Sequence, residues 1–431
     1  MSSSPVTSFP TAYTLSPRTL WLMAIACGVC VANICYNQPL LGDFATYFHA
    51  TAAQVGWVAM ASQTGYGLGL LFFLPLGDII ERRKIVLFLV YACAALLALT
   101  AASPTLWLLI LGNLLVGATS MGTQILIPLA VELSPPNKRG QTVGVMMTGV
   151  LGGILLARTL AGVVGDYFGW RAMFALATIM MLALALLLRG RLPHRPPVVT
   201  MRYGELMVSL WEVLKTQPLL WRPSIIGALS FGSFTAFWTS LSFLMAEQFH
   251  RGATETGLFG IVGLVGALAA PYAGKLSDKR GAAFTVMLAL TVILTAFGVM
   301  WMWVTIPALI LGVLLMDVGV QTVQVAEHGN VLSLVPEARS RINTLYMGSR
   351  FIGGAAGSLV GGLAWSHGSW PAVCVAALGM NALALAIHFI AWRRSRPVNE
   401  STGWLGDATR SSRASSPGSF GSAPARSHDA A

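Results

Sequence analysis

Twelve long apolar runs leave this chain very few folds to adopt. Each run holds about 20 mostly apolar residues, the length that a helix needs to cross a bilayer. They cover residues 19–41, 54–77, 84–102, 105–131, 141–165, 172–189, 223–245, 254–276, 283–302, 305–330, 342–365 and 371–392. The chain is 55% hydrophobic and only 10% charged, whereas soluble domains carry about 25% charged residues. We therefore predict an all-α integral membrane protein with twelve transmembrane helices.

The two halves of the sequence repeat each other at an offset of 200 residues. The matched pairs are Asp78 and Asp278, Pro136 and Pro336, Arg139 and Arg339, Gly153 and Gly353, Gly162 and Gly362, and Trp170 and Trp370. A register held over this distance indicates a tandem duplication. Because each half has an even number of spans, the two six-helix repeats should be parallel and surround a central cavity.

The repeat and the polar stretches divide the chain into five parts. We predict six-helix bundles at 19–189 and 223–392, joined by a cytoplasmic central loop at 190–222. Residues 201–215 of that loop could form an amphipathic surface helix. The flanking segments 1–18 and 393–431 are rich in small and polar residues, which predicts disorder.

The loops place 23 Lys and Arg residues on one side of the membrane and 2, Arg171 and Arg251, on the other. The larger group lies at the termini and after runs 2, 4, 6, 8 and 10. Basic loops stay cytoplasmic, so we expect both termini in the cytoplasm of a multi-pass protein of the cell membrane, in a bacterium the inner membrane. Residues 1–17 lack the features of a signal peptide. Topology-setting loops also account for the net charge of +11 without a nucleic-acid partner.

The sequence offers no sign of a cofactor or of enzyme chemistry. The five cysteines lie inside apolar runs, at Cys27, Cys30, Cys35, Cys93 and Cys374, as buried thiols do, and indicate no metal site. The sequence contains no nucleotide-binding loop, catalytic triad or HExxH motif. We expect a protein that is not an enzyme, with no cofactor and no metal.

The loop after run 2 carries a family signature. Its pattern, G-x-L-a-D-r-x-G-R-[RK], is kept here as Leu76, Asp78, Arg82 and Arg83, with Leu74 and Glu81 where glycines are usual. The second copy keeps Gly274, Leu276, Asp278, Lys279 and Gly281. With twelve runs and the repeat, the chain resembles the major facilitator superfamily of secondary transporters over residues 19–392.

This resemblance implies an inner gate at the cytoplasmic face. In the family, the first aspartate caps the helix of run 11 and interacts with its dipole. Arg82 or Arg83 would then reach Glu132 at the end of run 4. The expected gating residues are Gly77, Asp78, Arg82, Arg83, Glu132, Arg139, Asp278, Lys279, Gly281 and Arg339. The simpler alternative is that these charges only set the topology.

Run 5 is similar to the motif G-x8-G-x3-G-P-x2-G-G of proton-linked antiporters. It differs at Ala157, Arg158 and Ala161. Small residues spaced by four let helix backbones approach, so ordinary packing explains the pattern as well as antiport does. The expected packing residues are Gly144, Gly153, Gly162, Gly353, Gly357, Gly361 and Gly362. Residues 32–41 of run 1 resemble the efflux branch that includes arabinose, purine-nucleoside and drug exporters.

Polar and aromatic side chains inside the runs suggest a substrate cavity between the halves. The candidates are Asn33, Tyr36, Asn37, Gln63, Tyr66, Asn113, Gln124, Trp238, Gln321, Gln324 and His328. Singly, each is as well explained by packing. Asn113 stands where the family often has an arginine with a role in proton coupling.

Two ionisable residues deep in the runs are candidates for proton coupling. Asp317 shares one helical face with Gln321, Gln324 and His328, and a carboxyl group near the middle of a membrane is a candidate proton carrier. Arg158 lies deep in run 5. The alternatives are an internal hydrogen bond for Asp317 and a structural ion pair for Arg158. Arg350 is shallower and could extend to the membrane surface.

Together these features predict a proton-coupled antiporter that exports small organic molecules by alternating access, as a monomer in the lipid bilayer. The alternative is a proton symporter or uniporter that imports an organic nutrient, since uptake and efflux share this architecture. A receptor of transporter-like fold is a third possibility, but it would need a folded signalling domain, and the cytoplasmic segments are too short and polar for one.

Overall fold

In a computed structural model of the protein, residues 16–194, 202–267, 270–333 and 339–395 are described. Within these ranges the regular structure is helical and no strand occurs. The α-helices are α1 (Pro17–Ala32), α2 (Leu41–Phe48), α3 (Ala52–Phe72), α4 (Leu76–Ile79), α5 (Arg82–Ala101), α6 (Leu106–Thr119), α7 (Gly122–Glu132), α8 (Arg139–Phe168), α9 (Trp170–Arg191), α10 (Tyr203–Thr216), α11 (Trp221–Glu247), α12 (Ala253–Ala267), α13 (Ala270–Arg280), α14 (Ala282–Met302), α15 (Ile306–Ser333) and α16 (Arg339–Ser395). The all-α class is as predicted.

The described residues of every predicted run lie mostly in helix, and some helix starts follow local capping chemistry. Thr51 and Gln54 form a capping box at the start of α3, and Thr105 accepts a hydrogen bond from the Leu108 N–H at the start of α6. Such caps satisfy N–H groups that the first helical turn leaves unpaired. Within the described ranges, eight helical segments are long and apolar enough to cross a membrane.

Some runs are not single straight helices. Run 1 is interrupted by turns at residues 33–40, between α1 and α2. Run 4 is interrupted at Ser120 and Met121, between α6 and α7. Runs 11 and 12 both lie in α16, where Gly368 and Ser369 leave the helical conformation, the latter with φ of 52°. The break in run 1 matters most for the site described below.

The described residues up to Ile390 belong to one compact unit, and Ala391–Ser395 belong to a second. The central loop carries α10, which overlaps the predicted surface helix at 201–215. It is amphipathic: Leu206 and Leu210 are buried, whereas Val208 and Trp211 are exposed.

Close helix contacts repeat at the offset seen in the sequence. A Cβ at Gly153 of α8 would overlap the backbone of Gly28 of α1, and a Cβ at Gly353 of α16 would overlap the backbone of Ala228 of α11. Each residue of the second pair lies 200 positions after its counterpart in the first. The duplicated sequence therefore forms a duplicated helix crossing.

Other glycines of the predicted packing set also lie at helix crossings. Gly162 faces the backbone of Ala253, Gly357 that of Gly232, Gly361 that of Ala236, and Gly362 that of Ala52 and Gly56. Gly144 differs, because nothing lies within 4 Å of the position a Cβ would take there. The contact before Gly153 is made by Gly149 against Ala24. Gly144 precedes Gly149 by five residues, which turns it by about 140° to another face of the helix.

Candidate transport site

Residues of both halves surround a cavity of about 210 Å³. The first half contributes residues of α1, α3, α7, α8 and the turns after α1, and the second contributes residues of α11, α12, α15 and α16. All four predicted glutamines, Gln63, Gln124, Gln321 and Gln324, line it together with Tyr66. The lining is therefore rich in amide groups that can both donate and accept hydrogen bonds.

Arg158 of α8 lines this cavity and is only 5% exposed. Its Nε donates a hydrogen bond to Oε1 of Gln38 at 2.8 Å. The guanidinium carbon lies 4.0 Å from the ring centroid of Trp238, on α11, an arrangement in which the ring face attracts the cation. The charge is therefore held by one contact within its own half and one from the other half.

Asp317 of α15 lines the same cavity and is 7% exposed. Gly263 of α12 faces its carboxyl group, and a Cβ there would come within 3.1 Å of Oδ2. Among the residues that the structure describes, none forms a hydrogen bond with Oδ2. A buried oxygen without a donor is costly, so a proton or a hydrogen-bonding ligand at this carboxyl would be favourable.

Two predicted residues of the stretch after α1 face away from the cavity. Asn33 donates to the Cys30 carbonyl oxygen at 3.3 Å and to the sulfur of Cys93 at 3.4 Å. Asn37 donates to Ser62 Oγ at 2.6 Å and to Asn113 Oδ1 at 3.0 Å. Turns replace the helix at 33–40, and Gln38, which was not among the predicted cavity residues, is the polar side chain of this stretch that lines the cavity.

The other predicted cavity residues do not line the cavity: Tyr36, Asn113 and Trp238 are buried beside it, and His328 is half-buried. Asn113 belongs to the Asn37 network and donates to the Leu109 carbonyl oxygen at 2.9 Å. Tyr36 lines a separate, mostly apolar pocket between α1 and α8. His328 forms a 2.7 Å hydrogen bond with Asn343 and stacks on Tyr346. It follows Gln324 by four residues, which places it about 6 Å further along α15.

Several lining residues were missed by the sequence argument. Arg350 of α16 is 4% exposed, lines the cavity and lies 4.4 Å from the ring centroid of Phe231, so it does not extend to the membrane surface. Phe231, Phe234 and Phe351 supply aromatic faces. A charge inside an apolar run was the available signal for Arg350, whereas phenylalanines in a membrane helix carry no such signal.

Two of the predicted gating residues, Arg82 and Glu132, contact each other within the first half. Arg82 donates to Oε2 of Glu132 at 2.7 Å and, through Nε, to the carbonyl oxygen of Gly77 at 3.3 Å. This ion pair joins the start of α5 to the end of α7. Arg83 instead donates to the Arg189 carbonyl oxygen at 2.6 Å and contacts His194.

The remaining gating candidates make fewer described contacts. The side chains of Asp78 and Arg339 lie outside the described part of the structure. Arg139 is exposed at the start of α8, and Asp278 and Lys279 are exposed at the end of α13. Gly281 has φ of 82°, a left-handed conformation that favours glycine, and occupies the N-cap position of α14.

Comparisons with known proteins agree with this architecture. The Major Facilitator Superfamily model matches residues 20–326 and 224–415. The uncharacterized transporter YgaY of Escherichia coli O157:H7 is 39% identical over 387 residues, which cover 89% of this chain and 98% of the relative. A protein of Helicobacter pylori (strain ATCC 700392 / 26695) named "Probable sugar efflux transporter" is 25% identical and covers 75% of this chain and 82% of its own.

Among solved structures, a bacterial homologue of the human lysosomal transporter Spinster, in an inward-facing and occupied conformation, has a TM-score of 0.69. Its sequence is 15% identical, and the match covers 87% of this chain and 96% of that chain. This likeness concerns the fold alone. Because the family model matches most of the chain and a relative is 39% identical over nearly its whole length, the chain belongs to the major facilitator superfamily of membrane transporters.

Proposed function

We propose that this transporter is a proton-coupled antiporter that exports a small organic molecule by alternating access. The observation that carries the proposal is Asp317, a buried carboxyl group in the cavity between the halves. An exchanger needs a group that holds either a proton or the substrate as the cavity opens to one side and then to the other. Asp317 is placed to hold either.

Competition at this carboxyl would provide the exchange. In its ionised form, Asp317 accepts hydrogen bonds from a substrate that enters from the cytoplasm. After the substrate leaves on the outside, a proton takes its place, and the neutral side chain returns. Protonation turns one acceptor oxygen into a donor, so proton and substrate exclude each other at this oxygen.

Arg158 would set the balance between the two forms of Asp317. Its fixed positive charge favours the ionised carboxylate when both side chains face the cavity. Gln38 and Trp238 hold the guanidinium in place. Since these two residues come from different halves, rocking of the halves would change the position of Arg158 and thereby its influence on the carboxylate.

The lining suits a substrate with both polar groups and a carbon framework. Five glutamine side chains, those of Gln38, Gln63, Gln124, Gln321 and Gln324, offer hydrogen bonds, and Phe231, Phe234 and Phe351 offer apolar faces. Hydroxyl-bearing molecules match such a mixture of amides and aromatic rings. The Helicobacter pylori relatives named as sugar efflux transporters support an outward direction and a substrate of this kind.

One observation favours import by proton symport as the alternative. Among the described residues that line the cavity are two arginines, Arg158 and Arg350, and one carboxyl group, that of Asp317. An anionic substrate seated on Arg158 would cancel the charge that favours ionised Asp317, and the carboxyl would then bind a proton together with the substrate. Proton and substrate would move in the same direction.

The two functions can be separated in vesicles. A thermal-shift screen of sugars, nucleosides, amino acids and organic acids on the purified protein identifies a ligand. The ligand is then added outside proteoliposomes that contain a pH-sensitive dye. Antiport predicts that inward movement of the ligand drives protons out and raises the internal pH. A fall in internal pH supports symport, and an unchanged pH during ligand uptake contradicts proton coupling.

A further inference from the structure

A carboxylate of the first half caps a helix of the second half at the end of the bundle that the loop charges predict to be extracellular, here called the outer end. Asp166 lies in the last turn of α8. Its Oδ1 accepts a hydrogen bond from the N–H of Ala253 at 3.0 Å, and its Oδ2 accepts one from the N–H of Thr254 at 2.7 Å. These are the first two residues of α12, where unpaired N–H groups and the helix dipole favour an anion.

The two halves are in tight contact around this cap. A Cβ at Gly162 would overlap the carbonyl oxygen of Ala253, and a Cβ at Gly252 would lie 2.9 Å from both carboxylate oxygens of Asp166. Further along the outer end, the N–H of Gly42 donates to Oγ of Ser242 at 2.9 Å. The cap is therefore part of a closed outer end, and opening that end would break it.

A second carboxyl group, that of Asp43, lies beside this closure. Asp43 is half-buried in the first turn of α2. Its Oδ2 lies 3.5 Å from the position that a Cβ on Gly165, the residue before Asp166, would take. Burial, with a smaller contribution from the Asp166 carboxylate, raises the pKa of Asp43 to about 6.

The cations at the outer end are engaged elsewhere. Arg171 of α9 lies over the rings of Tyr47 and Trp170 and donates to the Ser103 carbonyl oxygen. Arg251 pairs with Glu255 at 3.6 Å. The two nearby histidines, His49 and His250, are exposed at the end of α2 and just before α12. Within the described residues, no ion pair within 4.0 Å involves Asp43 or Asp166.

We propose that Asp43 and Asp166 form an outer gate whose closure takes up a proton from the external medium. Asp166 closes the gate by capping α12, and Asp43 binds the proton once closure has buried it next to Asp166. The gate lies apart from the central cavity, and its action does not depend on which substrate is carried.

The sign of the pH effect follows from linkage. In the open gate Asp43 is hydrated and its pKa is near the ordinary value of 3.8, whereas burial in the closed gate raises its pKa to about 6. The closed state therefore binds the proton more tightly, and acid favours closure. The closed-to-open ratio should rise about fourfold when the external pH falls from about 7.5 to about 5.5, and this gain is lost as the pH rises through about 6.

The test uses a native thiol that lines the central cavity. Cys35 is in the cavity lining, and the other four cysteines, all within the described residues, are not. A charged maleimide that does not cross membranes, added outside intact cells, reaches Cys35 only through an open outer gate. The labelling rate is measured by mass spectrometry, with Cys35→Ser to identify the labelled site.

We expect Asp166→Asn to raise the labelling rate, because an amide can satisfy only one of the two α12 N–H groups and carries no charge. The increase should be about three- to thirtyfold, from a lost charge–helix interaction and a lost hydrogen bond. An unchanged labelling rate in Asp166→Asn would remove the cap from the gate.

Asp43→Asn imitates the protonated side chain, so its gate should not respond to pH. The ratio of wild-type to Asp43→Asn labelling should fall about fourfold from about pH 7.5 to about pH 5.5, and taking this ratio cancels the pH dependence of the thiol reaction itself. Glu255→Gln is the matched control and should respond as the wild type does. Asp43→Glu keeps a titratable group and should retain the fall. A constant ratio would overturn proton uptake by Asp43.

Discussion

The guanidinium group of Arg158 rests on the ring of Trp238, with 4.0 Å between the guanidinium carbon and the ring centroid. This contact joins α8 in the first half to α11 in the second, at a cavity that also contains Asp317. Because the Arg158 guanidinium is held by the amide of Gln38 in one half and the ring of Trp238 in the other, it would move when the two halves move. We infer that Arg158 links the arrangement of the two halves to the charge of Asp317.

The first prediction concerns this arginine. Arg158→Ala should flatten the pH dependence of substrate binding, because the Arg158 cation then no longer favours the ionised form of Asp317. Arg158→Lys keeps the charge and should keep the pH dependence, although it loses the planar stacking on Trp238. Binding is measured by calorimetry across the pH range, and an unaltered profile in Arg158→Ala would exclude the proposed link.

The second prediction compares two glycines of the same helix. Gly153→Ala places a methyl group against the backbone of Gly28, and overpacking of this kind costs about 1–3 kcal/mol. Gly144→Ala meets open space and should be neutral or stabilise the helix by up to about 1 kcal/mol. Thermal unfolding in detergent measures both. Equal unfolding temperatures for the two variants would show that the α1–α8 contact is looser than described.

The third prediction concerns the ion pair between Arg82 and Glu132. The side chain of Glu132 is 47% exposed and that of Arg82 is 18% exposed, so water and salt screen the pair. A double-mutant cycle with Arg82→Gln and Glu132→Gln should give a coupling energy of about 0.2–1 kcal/mol in thermal unfolding. A coupling of several kcal/mol would mean that the pair is buried in the dominant state.

The sequence signature predicts a stronger effect for Asp78. Asp78→Asn should lower transport sharply while the protein still inserts, because an amide can cap a helix end but lacks the charge interaction, typically about 0.3–1 kcal/mol. Spectroscopic distances between labels on the two halves should shift towards the inward-facing state. Full activity with unchanged distances would exclude Asp78 from the mechanism.

The architecture was predictable from the sequence, because the long apolar runs and the repeat offset of 200 residues extend along most of the chain. The bilayer requires long apolar helices, and a duplicated helix crossing keeps its small residues, as Gly153 and Gly353 do. The helical face that Asp317 shares with Gln321 and Gln324 was also predictable, since α15 is helical throughout that stretch.

The details of the cavity could not be read in the same way. In run 1, Pro39 is a local signal of a break near the end of the run, but it does not show that the turns begin at Asn33, direct Asn37 towards Asn113 and leave Gln38 in the cavity. Which face of a helix lines a cavity depends on the helices packed around it. This packing places Trp238 against Arg158 and outside the cavity lining, and it places Arg350 in the lining. The cap by Asp166 depends on two helices of different halves meeting, which no local pattern announces.

The most direct test of the account is transport by Asp317→Asn in proteoliposomes. Two assays are run on the same vesicles with the ligand found by screening: uphill transport driven by a pH gradient, and exchange of labelled for unlabelled ligand between equal pools without a gradient. The account predicts that Asp317→Asn abolishes the pH-driven transport and retains the exchange, because the amide can still bind the ligand but cannot carry a proton. Uphill transport by Asp317→Asn with a normal pH profile would contradict the central role of Asp317.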